Sequence, residues 1–360
     1  MKLLSRTMLR HHLMILGLSL ALVPHSFAEP IAPDTGATAW SFVVIGDTRD
    51  VTKASATGIS PVLADLARRI AADPARPDLV IHAGDITNGY WLNKKSPLHR
   101  IKESKRFRLM FDNYLAAIAP IRKAGIPVYY VRGNHEYGGE IRPGTGVKNL
   151  IHTYDKMFAQ NMPQNGPADS KGLNYSFVHK SANFIVTDQY IGSQGLDVHI
   201  NLPWIAGQLE QNRSPLVFVS GHSPAYRTST SEEYEFQLAA IQPDRDQFWD
   251  LLVRSNVSAY ISSHEHFYAR GKVRGVPQIV QGNGGATPMT YDPKAQDPLL
   301  TDVFPLKKVP AREMLPGYLV VTVDEQTHKV TAVEKCIQAG HAVVVDIVEL
   351  DRGNKKNPVN

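Results

Sequence analysis

Two aspartates, one asparagine and three histidines stand out in this chain, because each follows a short apolar run closed by a small residue. Ser41 to Ile45 runs into Gly46-Asp47-Thr48-Arg49, and Leu79 to Ala83 runs into Gly84-Asp85. Val128 to Val131 leads through Arg132 to Gly133-Asn134-His135-Glu136. Leu216 to Ser220 precedes Gly221-His222, and Ser258 to Ser263 precedes His264-Glu265-His266. Runs of this length, rich in β-branched and aromatic residues, read as buried strands. In an open α/β sheet, chemistry gathers at the carboxyl ends of the strands. Carboxylate, amide and imidazole donors delivered there form a mixed oxygen and nitrogen set, which suits Zn, Mn or Fe.

The elements that must position these residues alternate helix and strand. Ile59, Val62, Leu63, Leu66 and Ile70 recur at helical spacing before Asp73-Pro74. Phe107, Met110, Phe111, Tyr114, Leu115, Ile118 and Ile121 predict one amphipathic helix closed by Gly125 and Pro127. The basic run around Lys94, Arg100 and Lys105 reads as a solvated face. Glycine and proline mark loops at 137–146 and 161–172, placed to shape access to a strand-end site. Tyr175 to Val178 and Phe184 to Asp188 read as a strand pair, and Leu202 to Leu209 and Asp246 to Val253 as helices. Val273 to Val280 and Leu319 to Val323 are expected strands, with Lys329 to Val333 and Ala342 to Ile347 closing an edge. Alternating elements followed by further strands predict two sheets packed face to face with helices outside.

The chain has 360 residues, 43% hydrophobic and 20% charged, an ordinary globular composition. Lys2, Arg6 and Arg10, the apolar stretch Leu13 to Val23 and Ser26-Phe27-Ala28 have the form of a secretory signal, so a mature start near Glu29 is expected. The apolar stretch falls short of the ~20 residues that span a bilayer, so no stable membrane insertion is expected after cleavage. Losing those three cations takes the net charge from +5 to +2, and no dense basic run points to nucleic acid. Periplasmic or secreted localisation follows as the expectation. Cys336 is the only cysteine, so an exported chain has no internal disulfide, and it reads as a small buried hydrophobe.

Gly46-Asp47, Gly84-Asp85, Gly133-Asn134-His135-Glu136, Gly221-His222 and His264-Glu265-His266, in this order, resemble the calcineurin-like metallophosphoesterase superfamily. G-H-S-P-A-Y from Gly221 and S-H-E-H-F-Y-A-R from Ser263 lean towards its purple-acid-phosphatase-like branch. The resemblance runs from about Trp40 to Asp324. It implies a four-layer α/β/β/α sandwich of two mixed sheets. Together with the signal read above, the expected division is a signal peptide at 1–28, a leader arm at 29–39, the metallophosphoesterase domain at 40–335, and an edge strand with tail at 336–360. The resemblance also implies one or two divalent or trivalent ions and a small-molecule phosphoester substrate. Two such ions, about 3.5–4 Å apart, activate water and hold both oxygens of an in-line displacement. Asp85 would bridge them, Asp47 and His266 would hold the first, and Asn134, His222 and His264 the second. His135 would give a hydrogen bond or proton to the leaving group.

One position departs from that pattern: where the family has Asp-x-His, this chain has Asp47-Thr48-Arg49. A guanidinium has no lone pair for a metal and keeps its charge at any relevant pH. Three placements are open. The first ion could survive on Asp47, Asp85 and His266, Arg49 could occupy its place and clamp phosphate, or Arg49 could turn out towards Asp50. The tyrosine that the purple-acid-phosphatase branch carries three residues after the bridging aspartate is Asn88 here, with Tyr90 two further on. His82 reads as a core histidine, Glu265 as pointing to the opposite side of its loop, and Gly282-Asn283-Gly284-Gly285 as a turn near the site. Asp188 either supports His135 or caps a turn. The expected function is an exported metal-dependent phosphoric-ester hydrolase, leaning to monoesters through Arg49. A diesterase with the same site, or a phosphate-binding or regulatory protein of little turnover, stand as alternatives.

Overall fold

The computed structural model describes residues 39–50, 55–92, 94–138, 145–190, 198–228, 230, 232, 237–304 and 315–350, the side chains of 145–147 excepted. The expected signal peptide lies outside the described residues, as do all but Ala39 of the leader arm and most of the loop expected at 137–146. Among the described residues no helix is long and apolar enough to cross a membrane.

Two six-stranded mixed sheets form the frame. In the first, β1 (Ala39–Ile45), β2 (Leu79–His82) and β3 (Val128–Tyr130) run parallel. On the other flank of β1, β10 (Gly317–Asp324), β11 (Val330–Gln338) and β12 (His341–Glu349) follow antiparallel. In the second, β5 (Ala182–Val186), β6 (Leu216–Ser220), β7 (Ala259–Ser262) and β9 (Val276–Gln281) are parallel. There, β4 (Tyr175–His179) and β8 (Tyr268–Val273) are the antiparallel edges. Parallel neighbours need long crossovers, and helices supply them. α1 (Leu63–Ala71) joins β1 to β2, and α2 (Glu103–Ala117) with α3 (Ala119–Lys123) joins β2 to β3. α6 (Leu202–Gln211) and α7 (Gln242–Arg254) do the same work between β5, β6 and β7.

Period-2 alternation sorts side chains between the layers. Phe42 of β1 meets Phe184 of β5 at 5.1 Å and Phe218 of β6 at 5.0 Å, both edge-on. Tyr129 of β3 stacks on Phe177 of β4 at 3.8 Å. These rings are the seam between the sheets. The intervening residues Ile185, Val217 and Val219 face the other way and pack with Ile205, Phe248 and Trp249 of α6 and α7. On the first sheet, the buried faces of α1 and α2 cover the strands with Leu66, Ile70, Phe107 and Phe111. The result is the four-layer α/β/β/α arrangement.

Two expected elements change. The single helix through Phe107 to Ile121 is two helices, broken at Ile118. Pro120 has no N–H to give and its ring crowds the preceding turn, so the first helix cannot run on. The expected strand Val273 to Val280 is a hairpin: Arg274 (φ 51°) and Gly275 (φ 83°) turn the chain between β8 and β9. Both turn residues are left-handed, as a two-residue hairpin requires, but Arg-Gly carries none of the asparagine or aspartate that usually marks one. The described part of the 137–146 loop includes the start of a helix that the periodicity reading did not find, α5 (Thr145–Met157). The short helix α4 (Asn134–Tyr137) occupies the polar cluster after β3.

His82 is fully buried at the end of β2. Its Nδ1 accepts from the Gly84 amide at 3.3 Å, so Nε2–H donates to Thr48 Oγ1 at 3.0 Å, and Thr48 donates on to Ile86 O. Burial pushes its pKa from 6.5 down to about 3. Between those values the unfolded chain binds a proton that the fold refuses, so stability falls as pH drops from 6.5 towards 3. One such proton contributes up to roughly 1.4 kcal/mol per pH unit. His82→Gln, which keeps an N–H for Thr48, should flatten the acid limb by about one proton; urea midpoints from pH 7 to 4 check it, and an unchanged slope overturns it.

Candidate metal centre

The strand ends deliver their side chains through strained backbone. Asp47 (φ 52°), Asp85 (φ 56°) and His264 (φ 71°) all adopt the left-handed region, which costs a non-glycine residue roughly 1–3 kcal/mol each. Each turn swings a side chain off the strand axis towards one point. Hydrogen bonds hold them there: Asp47 N donates to Gly84 O at 3.0 Å, Thr48 N to Asp85 O at 3.0 Å, and Ala286 N to Asp47 O at 2.9 Å. Glu136 ties the β2 and β3 ends together by accepting the amides of Asp85, Ile86, Thr87 and Gly133 at 2.9–3.2 Å. The Gly282 to Gly285 turn lies directly against this layer, with Gly284 N on Gly46 O at 2.9 Å.

Asp85 is the shared member of two donor sets. On its Oδ1 side, His222 Nε2 lies at 3.4 Å, and Asn134 Oδ1 lies 3.0 Å from the same nitrogen. His264 Nδ1 stands 3.2 Å from Asn134 Oδ1 and 3.3 Å from His222 Nε2. His222 donates Nδ1–H to Ala83 O at 2.8 Å, which fixes its tautomer and leaves Nε2 a bare lone pair. Nε2 thus faces two oxygen acceptors with no proton between them. On the Oδ2 side, Arg49 Nε donates to Asp85 at 3.0 Å and Arg49 Nη2 donates to His266 Nε2 at 2.6 Å. His266 gives its Nδ1–H to Thr287 O at 2.7 Å, so Nε2 is again the bare nitrogen. Asp47 Oδ2 accepts from Ser263 Oγ and the His264 amide, while its buried Oδ1 has no hydrogen-bond partner among the described residues.

Charge is distributed unevenly. Burial and the neighbouring Asp85 charge raise the Asp47 carboxyl well above its usual range, against the pull of Arg49, Ser263 and the His264 amide. Burial acts the same way on Asp85, but His135, His222, Arg49 and His264 outweigh it and hold that carboxyl below the usual range. Burial, then Arg49, pushes His135 down to about 3 and His266 well below its ordinary value. The four groups are buried, so these imidazoles are neutral and offer lone pairs.

A family model for calcineurin-like phosphoesterases matches residues 41–268. The chain belongs to that family. An Arabidopsis thaliana relative named probable inactive purple acid phosphatase 9 is 25% identical over 216 residues, covering 54% of this chain and 30% of its own length. Among solved structures, purple acid phosphatase PPD1 from yellow lupin seeds is similar with a TM-score of 0.61 and 18% identity, over 87% of this chain and 53% of that one. GAP50, the anchor in the inner membrane complex of Plasmodium, has a TM-score of 0.54 and 15% identity, over 89% and 90%. The chain therefore spans about half of the lupin protein and under a third of the Arabidopsis one.

The structure brings together Asp47, Arg49, Asp85, Asn134, His135, His222, His264 and His266, and within this group Asp47, Asp85 and His222 offer ligand atoms close enough to share an ion. The two donor sets differ in how they fit a metal. Atoms held about 2.0–2.2 Å from one ion lie roughly 3.0–3.5 Å apart. The set of Asp85 Oδ1, Asn134 Oδ1, His222 Nε2 and His264 Nδ1 has that spacing, and a cation between them removes the contact of acceptor with acceptor. The other set does not fit as it stands, since the guanidinium holds both Asp85 Oδ2 and the His266 lone pair. The outward placement of Arg49 is overturned: its backbone bridges to Ile59, and the residue is only 4% exposed.

His135 hangs beside the cluster, its amide on Asp85 Oδ1 at 3.1 Å, Nδ1–H on Asn88 O at 3.1 Å and its ring 4.5 Å from Trp91. Asn88 gives its side-chain amide to Asp50 O, and Tyr90 packs on Phe107, so neither brings a phenolate to the centre. Asp188 does not support His135: it pairs bidentately with Arg132 at 2.8 and 2.9 Å and accepts the Tyr190 amide. Glu265 turns away to Thr228 and Gln237, as expected of it. Sequence reasoning missed the roles of Glu136, Ser263 and Thr287 O, which position the donors; Glu136 and Ser263 sat inside recognised motifs, and Thr287 in none.

Gly133 leaves no room for a side chain against the shared carboxylate: a Cβ there would lie 2.1 Å from Asp85 Oδ1 and 2.4 Å from Asp85 N. Gly133→Ala should displace Asp85, destabilise the fold by roughly 1–3 kcal/mol and weaken metal binding. Gly207→Ala, in open space on α6, is the control and should gain up to about 1 kcal/mol. Urea unfolding in chelator and calorimetric metal titration read the two effects; equal behaviour of the two variants overturns the prediction.

Proposed function

We propose that this chain is an exported, metal-dependent phosphoric-ester hydrolase that prefers monoesters. The observation that carries the reading is the pair of donor sets on Asp85, one with acceptors converging at ligand spacing and the other filled by a guanidinium. Asp85, Asn134, His222 and His264 would hold a divalent ion, which when bound would supply Lewis acidity towards a phosphoryl oxygen and the attacking water. Zn, Mn and Fe all suit that shell. Arg49 meets a second phosphoryl oxygen, and its fixed charge favours the dianion of a monoester over a diester. His135 has Nδ1–H committed to Asn88 O, so any proton it exchanges with substrate passes through Nε2. Burial, then the Arg49 charge, depresses His135; an incoming dianion offsets the second of these and moves the ring towards the imidazolium that would protonate the leaving oxygen. Ser263, Thr287 O and Glu136 keep the donors aimed while this happens.

The reading from another class is a phosphate-binding or regulatory protein with little turnover. What favours it is Arg49 seated on two donors, together with the name of the Arabidopsis relative. Rates on p-nitrophenyl phosphate and bis-p-nitrophenyl phosphate separate the possibilities. Monoester hydrolysis should exceed diester hydrolysis and fall by roughly 100-fold or more on complete chelation, returning with added metal. A strong diester preference would overturn the substrate class, and phosphate binding without turnover on either ester would favour the binding protein. Export rests on residues 1–28, and N-terminal sequencing of protein recovered outside the cytoplasm should begin at or near Glu29.

A further inference from the structure

We infer that Arg49 replaces one ion of the centre, so that the site binds a single divalent metal and carries its second cation as a side chain. The inference rests on the metal-binding part of the reading above but not on turnover. The two donor sets share one carboxylate, and Arg49 enters only one of them. Arg49 Nε–H uses Asp85 Oδ2, and Nη2–H uses the Nε2 lone pair of His266. His266 cannot offer its other nitrogen instead, because Nδ1–H is committed to Thr287 O. A lone pair that accepts a guanidinium N–H is not available to a metal, so Arg49 and an ion at that place exclude each other. The Arg49 backbone is fixed as well, by the bridge from Arg49 to Ile59 and the bond from Ser60 N to Thr48 O at 2.7 Å.

A second divalent ion would also stand against the fixed charge of the guanidinium that already contacts two of its donors. A guanidinium has five N–H groups in a planar fork, and two of them hold Asp85 and His266. The others are the ones a phosphoryl oxygen would take, at the position where a second ion would otherwise bind it. The ligand class is a phosphoryl dianion bridging one exchangeable metal and one fixed guanidinium.

Metal stoichiometry tests this without any assay of turnover. Protein stripped with chelator, reloaded with Zn or Mn and desalted is counted by native mass spectrometry and elemental analysis. The unmodified chain should hold one ion, and Arg49→His should hold two. His264→Ala should lose the single ion, whereas His266→Ala, which touches only the arginine's set, should keep it. Circular dichroism shows which variants are folded, and the two histidine variants decide the matter if Arg49→His is not. Two tightly held ions in the unmodified chain would overturn the inference, as would loss of the ion from His266→Ala with retention in His264→Ala. A folded Arg49→His that still holds one ion would overturn it too. One ion with no hydrolysis leaves this inference standing and sinks the hydrolase; two ions with brisk hydrolysis does the reverse.

Discussion

The carboxylate of Asp85 is the point on which both sheets converge. Its Oδ1 accepts the His135 amide and faces His222, and its Oδ2 takes Arg49. These partners come from the ends of β1, β3 and β6, so a displacement of Asp85 is felt in both layers. The imidazoles and the Arg49 guanidinium around it oppose the burial that would otherwise favour the neutral acid, and hold this carboxyl below its usual range. Its left-handed backbone is stable only because Glu136 holds its amide and Gly133 leaves room for its side chain.

The remainder of the architecture reads as support for that one group. Parallel strands bring their carboxyl ends to the same level, and the aromatic seam of Phe42, Phe184 and Phe218 fixes one sheet against the other. Because interiors are close-packed, the seam transmits little play to the strand ends. Second-layer polar groups are equally committed: Arg132 with Asp188 beneath β3 and β5, and Glu265 with Thr228 and Gln237 behind the histidine pair. Donors held this firmly need little reorganisation when a cation or an anion arrives, which is the physical condition for electrostatic catalysis.

The family resemblance and the local departure from it act on different halves of the site. One half has ligand spacing and a His222 Nε2 lone pair turned into it, and is what membership of the phosphoesterase family would lead one to expect. The other half carries a fixed cation in contact with two donors. A fixed cation differs from an ion in being always present, in offering directional N–H donors and in lacking the capacity to acidify water.

How much was legible in the sequence depends on how local the cause is. Short apolar runs ending in glycine and then Asp47, Asp85, Asn134, His222, His264 and His266 identified the strand ends and the family, since strand formation and turn chemistry are set by neighbouring residues. Alternation of apolar residues likewise determined the two sheets and their helices. Local signals failed where the signal itself was weak: the Arg274-Gly275 hairpin lacks the usual turn residue, and the break at Ile118 hides inside a continuous apolar stripe. The direction of Arg49 was beyond any local rule. It is decided by Asp85, 36 residues away, and His266, 217 residues away, and by a carbonyl at Thr287 that leaves His266 one lone pair. The sequence determined that a cation would stand two residues after Asp47; only packing brought that cation, a carboxylate and an imidazole within hydrogen-bonding distance, because such bonds form between groups that the fold, and not the chain order, makes neighbours.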